Sequence, residues 1–270
     1  MSYLTEAPPT RGEPSIVAPG IRRIVAENPG PMTYHGTNTY LIDSADGTIV
    51  LDPGPDDAAH VAAILAAGGK ISAILVSHTH HDHVSALPAL RQATGAAVLS
   101  HAPSMTPDRA LGHHDVFGDW TALHTPGHAP DHLCFARADG VVFTADHIMG
   151  WSSSVVSPPT GDMAAYFQSL RLMLARDDRL YLPGHGPPIA DPGGYGRFLM
   201  AHRQGREDAL LSALATSSKP IEDMVSELYP SIADRLRAAA SRNVLAHLQK
   251  LQSEAKVSEA FGVWSLTAAA

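Results

Sequence analysis

Residues 74–83 read Ile74-Leu75-Val76-Ser77-His78-Thr79-His80-His81-Asp82-His83, and this stretch decides the fold. Its apolar start is short enough for a buried strand, and it ends in four imidazoles and one carboxylate. Histidine is the commonest metal-binding side chain, and a neighbouring carboxylate suits a second ion or a bound water. Because residues two apart in an extended segment point the same way, His78 and His80 can bind one metal. Asp82 and His83 lie where we expect the chain to turn into a helix beginning near Val84, and they can face a second metal.

The same arrangement, an apolar run followed by a metal-binding residue, recurs three times further along. The segments are Trp120–His124 with Thr125-Pro126-Gly127-His128, Gly140–Ala145 with Asp146, and Tyr181-Leu182-Pro183-Gly184 with His185. A single histidine after a turn is usually a surface or capping residue, and a solvated histidine-rich loop is the alternative for residues 78–83. Four such segments in this order instead predict a metal centre on the loops at one edge of a sheet.

In this order the motifs resemble the signature of the metallo-β-lactamase superfamily, H-x-H-x-D-H followed by His, Asp and His. The resemblance covers most of the chain and occupies all seven signature positions. It implies that His78, His80 and His128 hold one metal, that Asp82, His83 and His185 hold the other, and that Asp146 bridges them.

Further segments resemble the β-lactamase-like protein 2 group of that superfamily. They are Gly36–Tyr40, His124–His128 with Asp131-His132, Pro183–Pro187, and the tail from His202-Arg203 to Trp264. This group includes a mitochondrial endoribonuclease and many bacterial relatives described only as hydrolases. His81 fills a variable position of the signature, and His147 stands where relatives often carry a different residue. Both departures concern substrate preference and leave the metal ligands intact.

Short β-type runs alternate with helical runs through the first two thirds of the chain, which predicts an α+β protein. Together with the resemblance, this pattern implies an αββα sandwich, two sheets packed face to face with helices outside, over residues 1–195. Residues 1–20 contain four prolines and are expected to form a mobile arm. After Pro192-Gly193-Gly194, three helical runs and a hairpin predict a small winged-helix domain over residues 196–270.

A winged helix suggests nucleic-acid binding, with Arg235, Arg237 and Arg242 of the third helix as the expected contacts. Residues 200–270 nevertheless contain eight Lys or Arg and eight Asp or Glu. Modules that bind DNA are usually far more basic. A packing or homodimerisation module that also borders the active site is therefore the favoured interpretation, and nucleic-acid binding stays open.

Composition limits the class of protein. The net charge of -8 argues against a broadly cationic surface for nucleic acid, although RNA is possible through a local patch. No apolar run approaches the roughly 20 residues of a membrane span, and the start does not resemble a signal peptide. The single cysteine, Cys134, excludes an internal disulfide. We therefore expect a cytoplasmic protein that acts on a small molecule and does not interact with membranes.

Two ions a few ångströms apart can hold a bridging hydroxide near neutral pH, which would serve as the nucleophile. The histidine-rich donor set favours two Zn²⁺, while Mn²⁺ or Fe²⁺ would suit the oxygen-richer second site. Asp82 is the candidate catalytic residue, because a ligand carboxylate can also accept or relay a proton.

Five further residues are candidates for supporting roles. Asp52 and His132 could orient ligands through hydrogen bonds, although Asp52 could equally cap the Pro53-Gly54 turn. His81, His147 and Trp151 lie where a substrate would pass, and Trp151 is somewhat more typical of a packing aromatic.

These features predict a binuclear hydrolase of a small thioester, lactone or related carbonyl substrate. One alternative is an endoribonuclease that cuts single-stranded RNA with the same hydroxide. Another is a non-catalytic binding protein stabilised by metal, against which the complete ligand set argues.

Overall fold

The computed structural model describes residues 2–267, apart from the side chain of Arg235. A seven-stranded sheet comes first in the chain, with its strands in sequence order. They are β1 Ser15–Ala18, β2 Ile21–Val25, β3 Asn38–Ser44, β4 Gly47–Leu51, β5 Ile71–Leu75, β6 Ala97–Ser100 and β7 Arg109–Ala110. Neighbours from β1 to β4 are antiparallel, and neighbours from β4 to β7 are parallel.

A five-stranded sheet follows, with strand order β12-β11-β10-β9-β8. Its strands are β8 Val116–Phe117, β9 Trp120–His124, β10 Leu133–Arg137, β11 Val141–Ala145 and β12 Leu180–Pro183. Only the pairing of β11 with β12 is parallel. The helices are α1 Ala58–Gly68, α2 His81–Val84, α3 Leu87–Thr94, α4 Met163–Leu174, α5 Pro192–Thr216, α6 Ile221–Leu228 and α7 Asp234–Ser253.

The two sheets pack face to face, and the alternation of side chains along each strand explains how. In β3, Tyr40 and Ile42 join the apolar cluster between the sheets, whereas Leu41 joins the cluster under α1 and α3. In β11, Phe143 faces the other sheet and Val142 faces α4 and α5. These layers confirm the predicted αββα sandwich.

The C-terminal module is built from the end of α5, helices α6 and α7, and a small sheet in the order β13-β15-β14. These strands are β13 Lys219–Pro220, β14 Val257–Ala260 and β15 Val263–Leu266. Leu214 of α5 and Leu248 of α7 share one buried cluster with Trp264 of β15. This arrangement of helices and hairpin confirms the predicted winged helix.

The boundary predicted after residue 195 falls inside α5. The Pro192-Gly193-Gly194 segment suggested a break, but Asp191 caps it as a helix N-terminus by accepting from the Gly194 N–H at 2.9 Å. Proline is well tolerated in the first turn of a helix. Leu199 therefore packs against the second sheet while Leu210 packs in the C-terminal cluster, so one continuous helix serves both modules.

The N-terminal segment, residues 1–20, which is expected to form a mobile arm, contacts the sandwich at several points within its described residues. Ser15–Ala18 form β1, the edge strand of the first sheet. The N–H of Leu4 donates to the carbonyl of Gly150 at 2.8 Å, and the Glu6 carboxylate pairs with buried Arg23 at 2.9 Å. The prolines prevent helix formation, yet hydrogen bonds hold the extended chain against the sandwich.

The helix expected near Val84 begins earlier, because α2 is a single turn from His81 to Val84. None of the helices within residues 2–267 combines the length and apolar character that crossing a lipid bilayer requires.

Candidate metal centre

The candidate ligands all follow the carboxyl ends of strands at one edge of the sandwich. His78 and His80 follow β5, Asp82 and His83 lie in α2, His128 follows β9, Asp146 follows β11, and His185 follows β12. The structure brings six of these residues into two adjoining groups, with Asp146 between them. We call His78, His80 and His128 the first group, and Asp82, His83 and His185 the second group.

In the first group, three imidazole nitrogens converge. Nδ1 of His80 lies 3.0 Å from Nε2 of His78 and 2.8 Å from Nε2 of His128. Burial lowers the pKa of His78 well below its usual range and also lowers that of His80. Both rings are therefore neutral near pH 7, which is the form that binds a metal.

Neighbouring hydrogen bonds fix which nitrogens point inward. Ser77 donates its hydroxyl proton to Asp52 at 2.6 Å, so it accepts from Nδ1–H of His78 at 2.9 Å. Nδ1–H of His128 donates to the carbonyl of Val155 at 2.6 Å. The Nε2 lone pairs of His78 and His128 consequently face the same point, where only a cation or a donated proton would relieve their repulsion.

In the second group, Nε2 of His185 lies 3.1 Å and Nε2 of His83 lies 3.5 Å from Oδ2 of Asp82. Although burial opposes ionisation, the hydrogen bond from His185 and the charge of His83 lower the pKa of Asp82 to about 2. Burial also disfavours the charged form of His83, but Asp146 and Asp52 outweigh it and raise its pKa well above the usual range. The same carboxylates would also attract a metal ion.

Asp146 lies between the two groups. Its Oδ2 is 3.5 Å from Nε2 of His128, while its Oδ1 is 3.4 Å from Nε2 of His83 and 3.5 Å from Nε2 of His185. Oδ1 of Asp146 and Nε2 of His83 are both buried and have no hydrogen-bond partner among the described residues. Buried polar atoms are rarely left unsatisfied, and these two, with nitrogen and oxygen donors around them, fit bound divalent cations.

Asp52 contacts the candidate ligands from behind. Its Oδ1 accepts from the N–H of Ser77 at 2.8 Å, and its Oδ2 accepts from Nδ1 of His83 at 2.9 Å. Asp52 therefore orients His83 directly and His78 through Ser77, an arrangement typical of carboxylates behind metal-binding histidines.

His132 also orients a candidate ligand without joining either group. Its Nδ1–H faces Oγ of Thr125 at 2.9 Å, and its Nε2 accepts from the backbone N–H of Asp146 at 3.2 Å. Burial lowers the pKa of His132 well below its usual range, so the ring stays neutral and keeps both contacts.

The three residues expected along the substrate path differ in their positions. His81 is exposed and belongs to neither group. His147 is fully buried against the ring of Tyr166, and burial lowers its pKa to about 3. Trp151 stacks on Tyr34 with 5.2 Å between ring centroids and packs against Gly186, beside His185.

Sequence reasoning missed two residues that complete the centre. A Cβ at Gly184 would lie 2.5 Å from Oδ1 of Asp146 and 2.8 Å from Cε1 of His83, so only glycine fits there. Nδ2 of Asn38 donates to the carbonyls of Pro183 and Gly186 at 2.8 and 2.9 Å, which fixes both sides of the His185 loop from β3 of the other sheet. The Pro-Gly-His-Gly-Pro spacing was the available signal for Gly184, whereas no local pattern indicated the contact made by Asn38.

Comparison with known proteins agrees with this architecture. Residues 32–117 and 106–185 match the metallo-beta-lactamase superfamily, and residues 221–264 match the beta-lactamase associated winged helix domain. The beta-lactamase-like protein 2 homolog of Drosophila melanogaster is 31% identical over 267 residues, covering 87% of this chain and 88% of that protein. The atrochrysone carboxyl ACP thioesterase of Aspergillus chevalieri is 30% identical over 271 residues, covering 89% of this chain and 83% of that protein.

A crystal structure of a beta-lactamase domain protein from Burkholderia ambifaria superposes with a TM-score of 0.84 at 22% identity, covering 98% of this chain and 97% of that one. That likeness concerns the fold, and it extends through both modules. The sequence match and the shared architecture together identify this chain as a member of the metallo-β-lactamase superfamily with a C-terminal β-lactamase-associated winged helix domain.

Proposed function

We propose that this chain is a binuclear metal-dependent hydrolase that acts on a small thioester. The observation that carries the proposal is the position of Asp146, which turns one carboxylate oxygen toward each group of candidate ligands. One zinc ion takes three or four protein ligands. Six residues that form two groups around one shared carboxylate therefore suit two ions better than one.

Each group, completed by Asp146, would hold one ion. The three histidines of the first group favour zinc, and the carboxylate of Asp82 makes the second group also suitable for manganese or iron. We expect purified, metal-reconstituted protein to contain close to two transition-metal ions per chain, mainly zinc. Elemental analysis that finds one ion or fewer after reconstitution would refute the binuclear proposal.

When bound, a pair of divalent ions would polarise a substrate carbonyl and lower the pKa of a water molecule toward neutrality. The protein holds its ligands in fixed orientations through Asp52, His132 and the carbonyl of Val155. Asp82 is ionised at neutral pH, and its side chain is 30% exposed. We therefore assign to Asp82 the transient acceptance or relay of a proton as the leaving group departs.

A thioester is favoured over RNA by the charges of the C-terminal module. Several of its cations are already engaged, because Lys219, Lys250, Lys256 and Arg237 pair with acidic side chains and Arg203 is buried. The side chain of Arg235, an expected RNA contact, lies outside the described residues. Binding to phosphates needs free cationic side chains, and the net charge of the chain is -8.

The name of one relative also supports a thioester substrate. The Aspergillus chevalieri relative is described as an ACP thioesterase and aligns with 89% of this chain. A thioester carbonyl suits a centre of this kind, since the thiolate is a good leaving group and needs little protonation by a general acid.

The test is hydrolysis of acyl-N-acetylcysteamine thioesters by zinc-reconstituted protein, beside the matched oxygen esters, a lactone and a single-stranded RNA oligomer. We expect the thioesters to be cleaved fastest, chelation to abolish the activity, and zinc to restore it. Asp146→Asn should be inactive. Asp119→Asn, which changes an exposed carboxylate in the turn between β8 and β9, is the matched control and should retain activity.

Other results would contradict the proposal in identifiable ways. Faster cleavage of the lactone or the RNA would keep the metal centre and replace the substrate. Inert protein with both ions bound would favour a metal-stabilised binding protein. Homodimerisation through the C-terminal domain stays a prediction, which light scattering in solution would test.

A further inference from the structure

Arg203 is a buried cation that the proposed chemistry does not use. It lies near the middle of α5, where the helix passes from the second sheet to the C-terminal module, and it is 2% exposed. Its guanidinium stacks over the ring of Tyr166, 5.0 Å from the centroid, and its Nη2 donates to the carbonyl of Ser154. Within the described part of the chain, no carboxylate lies within ion-pair distance of it.

Burial of an arginine without an acidic partner is unfavourable unless other contacts compensate. An apolar side chain of similar length would fill this space at a lower desolvation cost. The contacts that Arg203 does make, to one backbone carbonyl and one aromatic face, therefore indicate its role. Both contacts belong to the support of the loop between β11 and α4.

Hydrogen bonds fix the part of this loop from His147 to Val155 at several points. The hydroxyl of Tyr166 donates to the carbonyl of His147 at 2.9 Å, and Oγ of Ser154 donates to the same carbonyl at 2.8 Å. Arg203 adds a donor to the carbonyl of Ser154 itself. A residue of α5 thereby holds the peptide group between Ser154 and Val155 in place.

The residue after Ser154 makes the contact that matters for the metal centre. The carbonyl of Val155 accepts from Nδ1–H of His128 at 2.6 Å, which orients the ring and leaves its Nε2 facing His80 and Asp146. Removal of a hydrogen-bond partner behind a metal-binding histidine commonly costs about 10–100-fold in metal affinity. A shift of the Ser154–Val155 backbone would act through the same contact.

We propose that Arg203 is a positioning residue that holds the Ser154–Val155 backbone and, through it, the orientation of His128. The helix that leads into the winged-helix module thus supports the metal centre. The inference rests on the proposed role of His128 as a metal ligand, but it makes no assumption about the substrate.

The test compares zinc affinities, measured by competition with a chromophoric chelator. Arg203→Met keeps the length and apolar stem of the side chain but removes its donors. We expect this variant to lose about tenfold in affinity for one of the two ions, because Arg203 acts on His128 only indirectly, through the Ser154–Val155 backbone. Arg203→Lys, which can still donate to the Ser154 carbonyl, should recover most of the loss.

Arg206→Met is the matched control, because Arg206 lies three residues further along α5 and stacks on Tyr229, away from the loop. It should leave both affinities unchanged. Thermal unfolding of the metal-free proteins separates a loss of affinity from a loss of fold. Folded Arg203→Met protein that binds both ions like the wild type would overturn the proposal.

A second measurement does not depend on any variant. In ¹⁵N spectra of the metal-free wild type, His128 should carry its proton on Nδ1, and a proton on Nε2 would contradict the proposal. Affinity and tautomer are both measured without substrate. Failure to hydrolyse thioesters would therefore refute the proposed function and leave this inference standing.

Discussion

Replacement of Gly184 by alanine is expected to disable the metal centre while the protein stays folded. The added Cβ would lie 2.5 Å from Oδ1 of Asp146 and 2.8 Å from Cε1 of His83. Because carbon and oxygen atoms in contact lie well beyond 3 Å apart, the carboxylate must retreat by roughly 0.5 Å or more. Functional sites generally tolerate displacements of only about 0.5 Å, and 1 Å can reduce a rate by about 100-fold.

We therefore expect Gly184→Ala to lower hydrolysis by about 10–100-fold and to weaken binding of at least one ion. The cost in the free energy of unfolding should be about 1–3 kcal/mol, as for other overpacked positions. Metal content after equilibrium dialysis, thioester turnover and thermal unfolding of the metal-free protein measure these three effects separately.

Gly205→Ala is the matched control, since Gly205 lies inside α5 and an added Cβ there meets no atom within 4 Å. It should leave metal binding unchanged and stabilise the helix by about 0.5–1 kcal/mol. If Gly184→Ala bound both ions and turned over substrate like the wild type, the close contact with Asp146 would not constrain the centre, and the reasoning would be refuted.

Asp146→Ala should abolish hydrolysis and empty at least one metal site with the fold intact, and full metal content with retained activity would show that this residue is no bridge. Burial lowers the pKa of His60 from 6.5 to about 4, so as the pH falls this histidine is protonated in the unfolded chain before it is protonated in the folded protein. The stability that neutral His60 contributes is therefore complete above pH 6.5 and is lost as the pH falls toward 4, a change of about 3 kcal/mol in the free energy of unfolding. In denaturant titrations, the free energy of unfolding of His60→Gln should fall less steeply over that range than that of the wild type. Thioester turnover should change little between low and high salt and tolerate Arg237→Ala and Arg242→Ala together, whereas RNA cleavage that falls steeply with salt and disappears in this variant would favour the ribonuclease.

Local sequence patterns were sufficient for most elements of the fold. Both ends of helix α1 carry such local signals, because the side chain of Asp57 accepts from two N–H groups of the first turn and Gly69, with a φ of 61°, ends the helix. The apolar residues of α7 recur at helical spacing, which packs Val244 and Leu248 into one cluster. Such signals are local, because capping and helical period depend on residues a few positions apart.

The candidate ligands were also accessible from the sequence, for a topological reason. Each one follows a strand, and the ends of strands in packed sheets converge at a common edge, so residues as distant as His78 and His185 could be expected to meet. Because these residues are histidines and aspartates, metal binding was then the expected function of the site. Neither step required the distances between the side chains.

Tertiary structure alone decided what surrounds those ligands. His147 lies next to Asp146 in the chain, yet its side chain points into the core against Tyr166, while distant Asp52 reaches His83. Arg203 meets Ser154 from a helix that begins some forty residues later in the chain. A sequence pattern records the period and chemistry of each segment, whereas these contacts depend on how separate segments pack against one another, and the side chains that fill such junctions have no spacing that marks them in advance.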